Sequence, residues 1–380
     1  MKFATTCIHV GQDPDPTTGA TIPPVHFTTT YTLDAPGEGK GFVYSRSANP
    51  TRVALEKCLA ALEGGAAASS FSSGCAATMA VLSILRPGDS IVAYADLYGG
   101  TYRIFENISR PGGINTKYAQ GTSLADFENL IDTSTKLIWL ETPTNPLLRL
   151  IDIEAVTKMA KSRGITVAVD NTFATPALQL PLALGADYVV HSTTKYIGGH
   201  SDVIGGAVIA RDASQIEPIL FYLKSAGGCP GPMDCYMTHR GIKTLPIRMR
   251  AHCENAHTIA QHLVGKPRIA SVIYPALPEH PDHALAKKQM SSGGGIVSVL
   301  LDGGFDATSR FCQSTKLFSL AESLGGVESL VNHPARMTHA SIPKDVRDAQ
   351  GISDNLVRLS VGIEDVDDLI QDLDMALSSI

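Results

Sequence analysis

Residues 187–202 read Asp187-Tyr-Val-Val-His191-Ser-Thr-Thr-Lys195-Tyr-Ile-Gly-Gly-His200-Ser-Asp202. The apolar run near the start is typical of a buried strand, and the hydroxyls and glycines that follow predict a loop. Lys195 is the only lysine of the segment. A lysine in an arbitrary loop is usually a surface residue. Its position just after a strand, among small residues, indicates instead a functional side chain.

A second strand with a charged end lies one strand-loop unit earlier, at Thr166-Val-Ala-Val-Asp170. A strand ending in Asp followed by a strand ending in Ser-x-Thr-Lys suits an enzyme that uses pyridoxal 5'-phosphate (PLP). The Lys195 amine would bond the cofactor aldehyde, and the Asp170 carboxylate would keep the ring nitrogen protonated, so that the ring accepts electrons. Asp170 could instead cap a turn together with Asn171. The two strands in this order favour the cofactor site.

Strands and helices alternate along the middle of the chain. Short apolar strands joined by helices predict an α/β fold with a mostly parallel sheet covered on both faces. Ligands bind beyond the carboxyl ends of the strands in such a sheet, and five polar residues fall there: Ser73, Tyr98, Asn145, Asp170 and Lys195. The predicted strands are 66–71, 90–94, 137–141, the segments ending at Asp170 and Ser192, and 205–210; the predicted helices are 75–85, 153–163 and one that begins after Asn49-Pro50 and stops at Gly64.

Three regions are predicted from changes in this pattern. Residues 1–47 are rich in proline, glycine and threonine and cannot build a core of their own, which indicates an arm lying on another surface. Residues 48–245 carry the alternating pattern and are the predicted cofactor-binding domain. Residues 246–380 form a predicted smaller α+β domain, with helices at 249–263 and 365–377 and strands at 272–274, 296–301 and 356–361.

Composition limits the class of protein. A chain of 380 residues exceeds one ordinary core, and a net charge of -6 gives no basic surface for nucleic acid. No apolar run approaches the ~20 residues of a membrane helix. Seven scattered cysteines without a Cys-x-x-Cys pair are typical of reduced thiols in a cytoplasmic protein. Cys253 and His257 lack a second ligand pair nearby, so no metal site is predicted.

Three competing signatures are missing from the sequence. The chain contains no G-x-G-x-x-G, no G-x-x-x-x-G-K-[ST] and no G-x-S-x-G, which removes the usual anchors of a dehydrogenase, a P-loop NTPase and an α/β-hydrolase. The turn Ser72-Ser73-Gly74 still offers an anion site. Free backbone N–H groups and the dipole at the start of the following helix favour a phosphate there.

Many further motifs occur in one fixed order, and together they carry a family resemblance. The chain resembles the cysteine/methionine-metabolism family of PLP enzymes, which includes cystathionine γ-lyase, cystathionine γ-synthase and methionine γ-lyase. The motifs are Tyr44-Ser-Arg46-x-x-Asn49-Pro-Thr51, Ser73-Gly74, Tyr98-Gly-Gly-Thr101, Glu141-Thr-Pro-Thr-Asn145-Pro, Asp170-Asn-Thr-Phe173, Ser192-x-Thr194-Lys195-Tyr-x-x-Gly-His200-Ser-Asp202, Arg240-Gly-x-Lys-Thr-Leu245, Ala321-Glu-Ser-Leu-Gly-Gly326, Met337-Thr-His-Ala-Ser341 and Arg358-Leu-Ser-Val-Gly-Ile-Glu-Asp365.

The resemblance implies a PLP-dependent transferase of fold type I and a role for each matching residue. Lys195 resembles the lysine that binds the cofactor, Asp170 the partner of the ring nitrogen and Tyr98 the tyrosine stacked on the ring. Ser73, Gly74, Cys75, Ser192 and Thr194 match the phosphate binders, and Tyr44 and Arg46 match a pair that reaches the phosphate from a neighbouring subunit. This implies a homo-oligomer, an active dimer assembled as a tetramer. Asn145, Ser323, Arg358, Glu322, Arg103 and Thr338 are assigned to the amino-acid substrate.

A few positions bear on which reaction is catalysed. Glu322 and Gly100 resemble the cystathionine enzymes, since methionine γ-lyases carry an apolar residue and a cysteine there. Val43 departs from the pattern, because cystathionine enzymes commonly have an acid that holds the distal amino group of cystathionine. The segments 336–341 and 7–13 resemble γ-lyases. We therefore expect cystathionine γ-lyase activity; the alternatives are cystathionine γ-synthase, methionine γ-lyase, and an aminotransferase of the same fold type.

Overall fold

Two sheets organise the chain, one of seven strands and one of five. The computed structural model describes residues 1–340 and 342–380. Ser341, the last residue of the predicted motif that starts at Met337, lies outside the described residues. No helix in the described part of the chain is long and apolar enough to span a membrane.

The first 47 residues contain little regular structure. They form one helix, α1 (Phe3–His9), and one small hairpin of β1 (Leu33–Ala35) and β2 (Glu38–Gly39). The sequence did not predict helix α1, although it lies within the predicted arm. Phe3 and Cys7, four residues apart, lie on one side of this helix and pack into the core beneath the large sheet, where Cys7 is fully buried.

Helix α2 (Pro50–Glu63) begins and ends as the sequence predicts. The Asn49 side chain accepts a hydrogen bond from the Thr51 N–H at 2.9 Å, and Pro50 occupies the first turn, where no N–H is needed. Gly64 ends the helix in the left-handed conformation with φ 72°. The buried Arg52 guanidinium donates to the Ser45 and Ser47 carbonyls at 2.8 Å each, so α2 holds the end of the arm.

The large sheet has the order β3-β9-β8-β7-β6-β4-β5. β4, β5, β6, β7 and β8 pair in parallel, and β9 runs antiparallel to both of its neighbours. The predicted mostly parallel sheet is confirmed. Its strands are β3 (Ala67–Phe71), β4 (Ser90–Tyr94), β5 (Asn115–Ala119), β6 (Thr135–Glu141), β7 (Thr166–Asp170), β8 (Tyr188–His191) and β9 (Gly206–Ala210).

Helices cover both faces of this sheet. In β6, Leu137 and Trp139 pack into one core while Ile138 and Leu140 pack into the other, which explains why its sequence is continuously apolar. The helices are α3 (Gly74–Leu82), α4 (Gly99–Ile104), α5 (Leu124–Glu128), α6 (Ile153–Ser162), α7 (Thr175–Leu178), α8 (Ile216–Ala226), α9 (Pro232–Ile242) and the long α10 (Leu245–Leu263), with a π-helical turn at Phe105–Ser109 and a 3-10 turn at Ala213–Gln215.

The C-terminal sheet has the order β10-β11-β14-β13-β12 and is mainly antiparallel. It buries a separate core against α10 and two helices of its own, α12 and α14. Its elements are β10 (Ile269–Ile273), α11 (His283–Gln289), β11 (Ile296–Leu301), α12 (Gly304–Ser314), β12 (Ser319–Leu320), β13 (Leu330–Asn332), a 3-10 turn at Pro334–Arg336, α13 (Lys344–Gln350), β14 (Leu356–Ser360) and α14 (Val366–Leu377).

The predicted fold class is confirmed: a large mostly parallel sheet and a smaller C-terminal α+β part. The ends of some strands and helices differ from the prediction. The strand expected to reach Ser192 stops at His191, and the helix expected from Met249 starts at Leu245. Pro246 sits in the first turn of that helix, where proline is tolerated. The boundaries at 47/48 and 245/246 stay predictions, and the second lies at the start of α10.

Candidate active site

A cavity of about 330 Å³ opens at the carboxyl ends of the parallel strands. The structure gathers there all the predicted site residues except Tyr44, Arg46 and Arg103. The predicted residues that line it are Ser73, Gly74, Cys75, Tyr98, Asn145, Asp170, Ser192, Thr194, Lys195, Glu322, Ser323, Thr338 and Arg358.

Lys195 follows β8 and reaches into the cavity. Its Nζ donates a hydrogen bond to Ser323 Oγ at 2.6 Å. Burial and, second to it, the nearby Arg358 charge together lower the pKa of Lys195 from 10.5 to about 8, against the opposing effect of the Glu322 charge. At neutral pH a lysine with such a pKa keeps a much larger neutral fraction than an ordinary lysine, and a nucleophilic or basic amine must be neutral.

Two carboxylates lie side by side at the ends of neighbouring strands. Asp170 of β7 and Glu141 of β6 are paired in register. Burial raises the pKa of Asp170, while its hydrogen bonds from Thr172 oppose the rise; the Thr172 N–H donates to Asp170 Oδ1 at 3.0 Å. Burial and the charge of Asp170 raise the pKa of Glu141 well above its usual range. Asp170 is therefore the carboxylate of the pair better able to stay ionised opposite a cationic group.

The start of α3 forms an anion site. Ser73 Oγ caps the helix by accepting from the Ala76 N–H at 3.1 Å. A Cβ on Gly74 would lie 2.8 Å from Ser192 Cβ, so this close approach requires glycine. Thr194 Oγ donates to the Gly205 carbonyl at 3.2 Å and accepts from the Gly205 N–H at 3.1 Å, which fixes its loop. A helix N-terminus beside hydroxyls suits a phosphate.

Arg358 on β14 is a fully buried cation without a carboxylate among its recorded hydrogen-bond partners. Nη1 donates to Asn145 Oδ1 at 2.9 Å, and Nη2 donates to the Ser323 carbonyl at 2.7 Å. Nε has no partner among the described residues. Burial lowers the pKa of Arg358 from 12.5 to about 10. A buried guanidinium in a cavity is well placed for a bound anion, and its fork fits a carboxylate.

Tyr98 lies at the mouth of the cavity with 36% of its surface exposed. Its backbone N–H donates to Glu141 Oε2 at 2.9 Å, and burial of its hydroxyl raises its pKa. A Cβ on Gly100 would lie 2.3 Å from Tyr98 Cε1. A larger residue at position 100 therefore requires the ring of Tyr98 to move.

Three predicted residues do not line the cavity of this chain. Tyr44 is 43% exposed on the arm, and Arg46 stacks on its ring, with Cζ 5.4 Å from the ring centroid. Arg46 also donates to the Lys224 carbonyl. Arg103 is exposed on α4, where its charge opposes the rise in the pKa of the Cys75 thiol. Val43, beside Tyr44, is 57% exposed.

Sequence reasoning gave no role to several residues that the structure places at the cavity. Glu141, like Asp170, ends a predicted strand, and this position is a signal in the sequence that could have marked it. Thr101 and Thr172 lie within motifs of the family resemblance but were given no role, and Thr78 has no pattern that separates it from other threonines. The additional lining residues are Thr78, Thr101, Glu141, Pro143, Thr172, Phe173, Ile204 and Leu324.

These side chains fit PLP. Lys195 supplies an amine of lowered pKa for an aldehyde, Asp170 a carboxylate for a ring nitrogen, and the close approach at Gly74 leaves an anion cradle at the start of α3. Arg358 adds a cation for a second anion. Among the described residues, no group of three or more His, Cys, Asp or Glu side chains is arranged to hold a metal ion.

Comparisons with known proteins agree with this chemistry. A family model described as Cys/Met metabolism PLP-dependent enzyme matches residues 4–378. The chain is 48% identical over 375 residues to the cystathionine β-lyase of Coxiella burnetii, covering 98% of this chain and 97% of that protein. It is 50% identical over 376 residues to the cystathionine γ-synthase of Mycobacterium tuberculosis, covering 98% and 96%.

A solved structure has the same fold over the whole chain. The crystal structure of the cystathionine γ-lyase of Lactobacillus plantarum, complexed with L-serine, superposes with a TM-score of 0.98 at 42% identity, covering 100% of this chain and 99% of that one. The names of these relatives cover three reactions. β-Elimination is one that the sequence analysis did not consider.

Proposed function

The chain belongs to the Cys/Met metabolism family of PLP-dependent enzymes, and from this premise we propose that it is a cystathionine γ-lyase. The reaction converts L-cystathionine and one water molecule into cysteine, 2-oxobutyrate and ammonia. The chain is a PLP-dependent enzyme of sulfur amino-acid metabolism that acts on a small amino acid. The choice of γ-elimination is the proposal.

One observation supports an α-amino-acid substrate most directly. Ser323 accepts from Lys195 through its hydroxyl at 2.6 Å and from Arg358 through its carbonyl at 2.7 Å. Its φ of 81° is a left-handed conformation that L-residues rarely adopt, and such strain is retained chiefly at functional sites. An amino acid whose carboxylate binds Arg358 would thus present its Cα proton to Lys195.

The residues that line the cavity support one contact for each part of the cofactor. Lys195 would hold the aldehyde, Asp170 the ring nitrogen and Tyr98 the ring face. The phosphate would lie at the start of α3, near Ser73, Gly74, Cys75, Ser192 and Thr194. When bound, PLP supplies an electron sink that stabilises negative charge at the carbon atoms next to the substrate amine.

The protein moves the protons. The neutral fraction of the Lys195 amine, increased because its pKa is lowered to about 8, takes the proton from Cα. A second proton must then leave Cβ before the bond from Cγ to sulfur can break. Asp170 would keep the ring nitrogen protonated. Tyr98 or Lys195 returns a proton to the departing sulfur; the raised pKa of Tyr98 keeps its hydroxyl protonated and able to donate. Arg358 and Asn145 hold the carboxylate throughout.

Glu322 supports a cystathionine substrate. It is exposed on the loop before Ser323 and lines the mouth of the cavity, where a carboxylate can meet the distal ammonium group of cystathionine. Thr338 lines the same side. Arg103 is proposed to attract the substrate carboxylates from the entrance.

γ-Replacement is the second candidate, and Val43 favours it. An apolar, exposed residue at this position offers no carboxylate to the distal ammonium group, and a relative at 50% identity is named a γ-synthase. We therefore test the enzyme with cystathionine alone and with an O-acylhomoserine plus cysteine. We expect cysteine and 2-oxobutyrate from the first mixture; dominant cystathionine synthesis would select the synthase, and pyruvate with homocysteine would select β-elimination.

We further propose that the enzyme is a cytoplasmic homo-oligomer, with an active dimer assembled as a tetramer. Tyr44 and Arg46 do not line the cavity of their own chain, and the arm is fixed to α2 by Arg52. This presentation suits contact with the phosphate of a neighbouring subunit. Mixed oligomers of Lys195→Ala and Arg46→Met subunits should regain activity that neither variant has alone.

A further inference from the structure

The Asn145 side chain orients the guanidinium of Arg358, the group that we assign to the substrate carboxylate. Its Oδ1 accepts from Arg358 Nη1 at 2.9 Å, and the residue is buried with 3% of its surface exposed. A binding group must be held within fractions of an ångström to be effective, so the residues that fix Asn145 matter for the affinity of the site.

His339 holds the carbonyl of Asn145. Its Nε2 lies 3.0 Å from the Asn145 carbonyl oxygen, and its Nδ1 lies 2.8 Å from Thr338 Oγ. A carbonyl oxygen only accepts, so Nε2 carries the proton. Nδ1 then accepts from the Thr338 hydroxyl. The imidazole is fully buried, and burial together with the Arg358 charge lowers the pKa of His339 from 6.5 to about 4. It is therefore neutral near pH 7.

His339 itself is held rigidly. Its N–H donates to the Pro334 carbonyl at 2.9 Å, and its carbonyl accepts from Arg347 Nη1 at 3.3 Å. A Cβ on Gly99 would lie 2.5 Å from the Thr338 carbonyl oxygen. The segment that carries His339 is thus packed against the turn after Tyr98. Because this packing fixes His339, it also fixes the position of Asn145.

Glu141 holds Asn145 from the opposite side. Its carboxylate accepts from the backbone N–H of Asn145 as well as from that of Tyr98. The backbone of Asn145 is therefore hydrogen-bonded through its N–H to Glu141 and through its carbonyl to His339. Its side chain is hydrogen-bonded to Arg358.

We propose that His339 is a positioning residue that, through the Asn145 carbonyl, sets Asn145 and Arg358 for the α-carboxylate of the substrate. The inference rests on the proposed function, because it assumes an amino acid bound at Arg358. His339 does not line the cavity, and its hydrogen bonds are to Asn145, Thr338, Pro334, Ile342, Arg347 and the backbone of Leu97, so we expect its substitution to leave cofactor binding intact.

A pair of amide substitutions isolates this hydrogen bond. In His339→Gln the side-chain NH₂ lies near the position of Nε2 and can still donate to the Asn145 carbonyl. In His339→Asn the amide is too short and matches only Nδ1. Both variants are polar and neutral, so they differ mainly in the bond to Asn145.

The measurement uses the PLP-loaded enzyme and two amines that undergo no γ-elimination. Glycine carries a carboxylate, and methylamine does not. The dissociation constant of each is read from the absorbance of the bound cofactor, and the cofactor content and the affinity for PLP are measured separately. His339→Asn should weaken glycine about tenfold, the effect of leaving one buried carbonyl without a partner. His339→Gln should leave glycine within about twofold of the wild type, and methylamine should be unaffected in both.

A double-mutant cycle tests the route through Asn145. In an Asn145→Ala background, His339→Asn should add less than about twofold to the glycine constant. Equal weakening of glycine and methylamine in His339→Asn, or a tenfold loss in His339→Gln, would overturn the proposal. If His339→Asn does not fold, the His339→Gln result alone decides. If the wild type binds neither PLP nor glycine, the proposed function fails instead.

Discussion

Arg358→Lys should weaken glycine binding strongly while leaving methylamine binding unchanged. The Arg358 guanidinium already gives Nη1 to Asn145 Oδ1 and Nη2 to the Ser323 carbonyl, at 2.9 and 2.7 Å. A lysine has a single nitrogen. It cannot satisfy both acceptors and also meet a carboxylate with two parallel hydrogen bonds.

The size of the loss follows from the hydrogen bonds rather than from the charge. Burial lowers the pKa of Arg358 from 12.5 to about 10. The same penalty applied to a lysine, whose ordinary pKa is ~10.4, leaves it near ~8, so it stays mostly protonated at neutral pH. What is lost is one charged hydrogen bond, about 1.5–3 kcal/mol. This corresponds to roughly 10- to 150-fold in the glycine dissociation constant.

The assay titrates the PLP-loaded variant with glycine and with methylamine near neutral pH and follows the absorbance of the bound cofactor. Unchanged methylamine binding controls for damage to Lys195 and the ring site. A glycine constant within about threefold of the wild type would contradict the assignment of Arg358 to the carboxylate. An equal loss for both amines would mean that the substitution disturbs the whole cavity.

Three further predictions concern Lys195, Asp170 and Val43. Because burial lowers the pKa of Lys195 to about 8, labelling of this amine by trinitrobenzenesulfonate in the cofactor-free protein should rise as the pH rises through about 8; a rise only near pH ~10, as for an ordinary lysine, would refute the lowered pKa. Asp170→Asn should bind PLP but lower kcat about 100-fold or more, because the neutral amide cannot hold the ring nitrogen protonated; kcat within threefold of the wild type at full cofactor occupancy would contradict this role. Val43→Glu should lower the KM for cystathionine about threefold, as a partly exposed ion pair does, whereas Val43→Gln and the KM for an O-acylhomoserine should stay unchanged; an equal change in Val43→Gln would show that charge is not the cause.

The location of the site followed from the sequence because strand ends converge. Asp170, Lys195, Ser73 and Asn145 each follow a predicted strand, and the carboxyl ends of parallel strands meet at one edge of a sheet. The structure places all four at one cavity. Arg358 was located through the family resemblance, since a single arginine in a strand has no local pattern that marks it.

The features that the sequence did not predict depend on tertiary contacts, which leave no pattern in the local sequence. His339 lies 194 residues from Asn145 along the chain, yet its ring is hydrogen-bonded to the Asn145 carbonyl. Helix α1 has only seven residues, and the Phe3 and Cys7 pair that packs into the core is too short a pattern to predict a helix. The outward position of Tyr44 had no explanation within one chain, and the proposal of a neighbouring subunit supplies one.

The central claim is that Lys195 is the amine that holds PLP. Reduction of the PLP-loaded enzyme with borohydride fixes the cofactor to whichever lysine carries it, and peptide mass spectrometry then locates the added mass. The account predicts a single modified peptide, with the phosphopyridoxyl group on Lys195 and none in Lys195→Ala. Modification of another lysine at full occupancy, or no covalent cofactor in a catalytically active preparation, would contradict it.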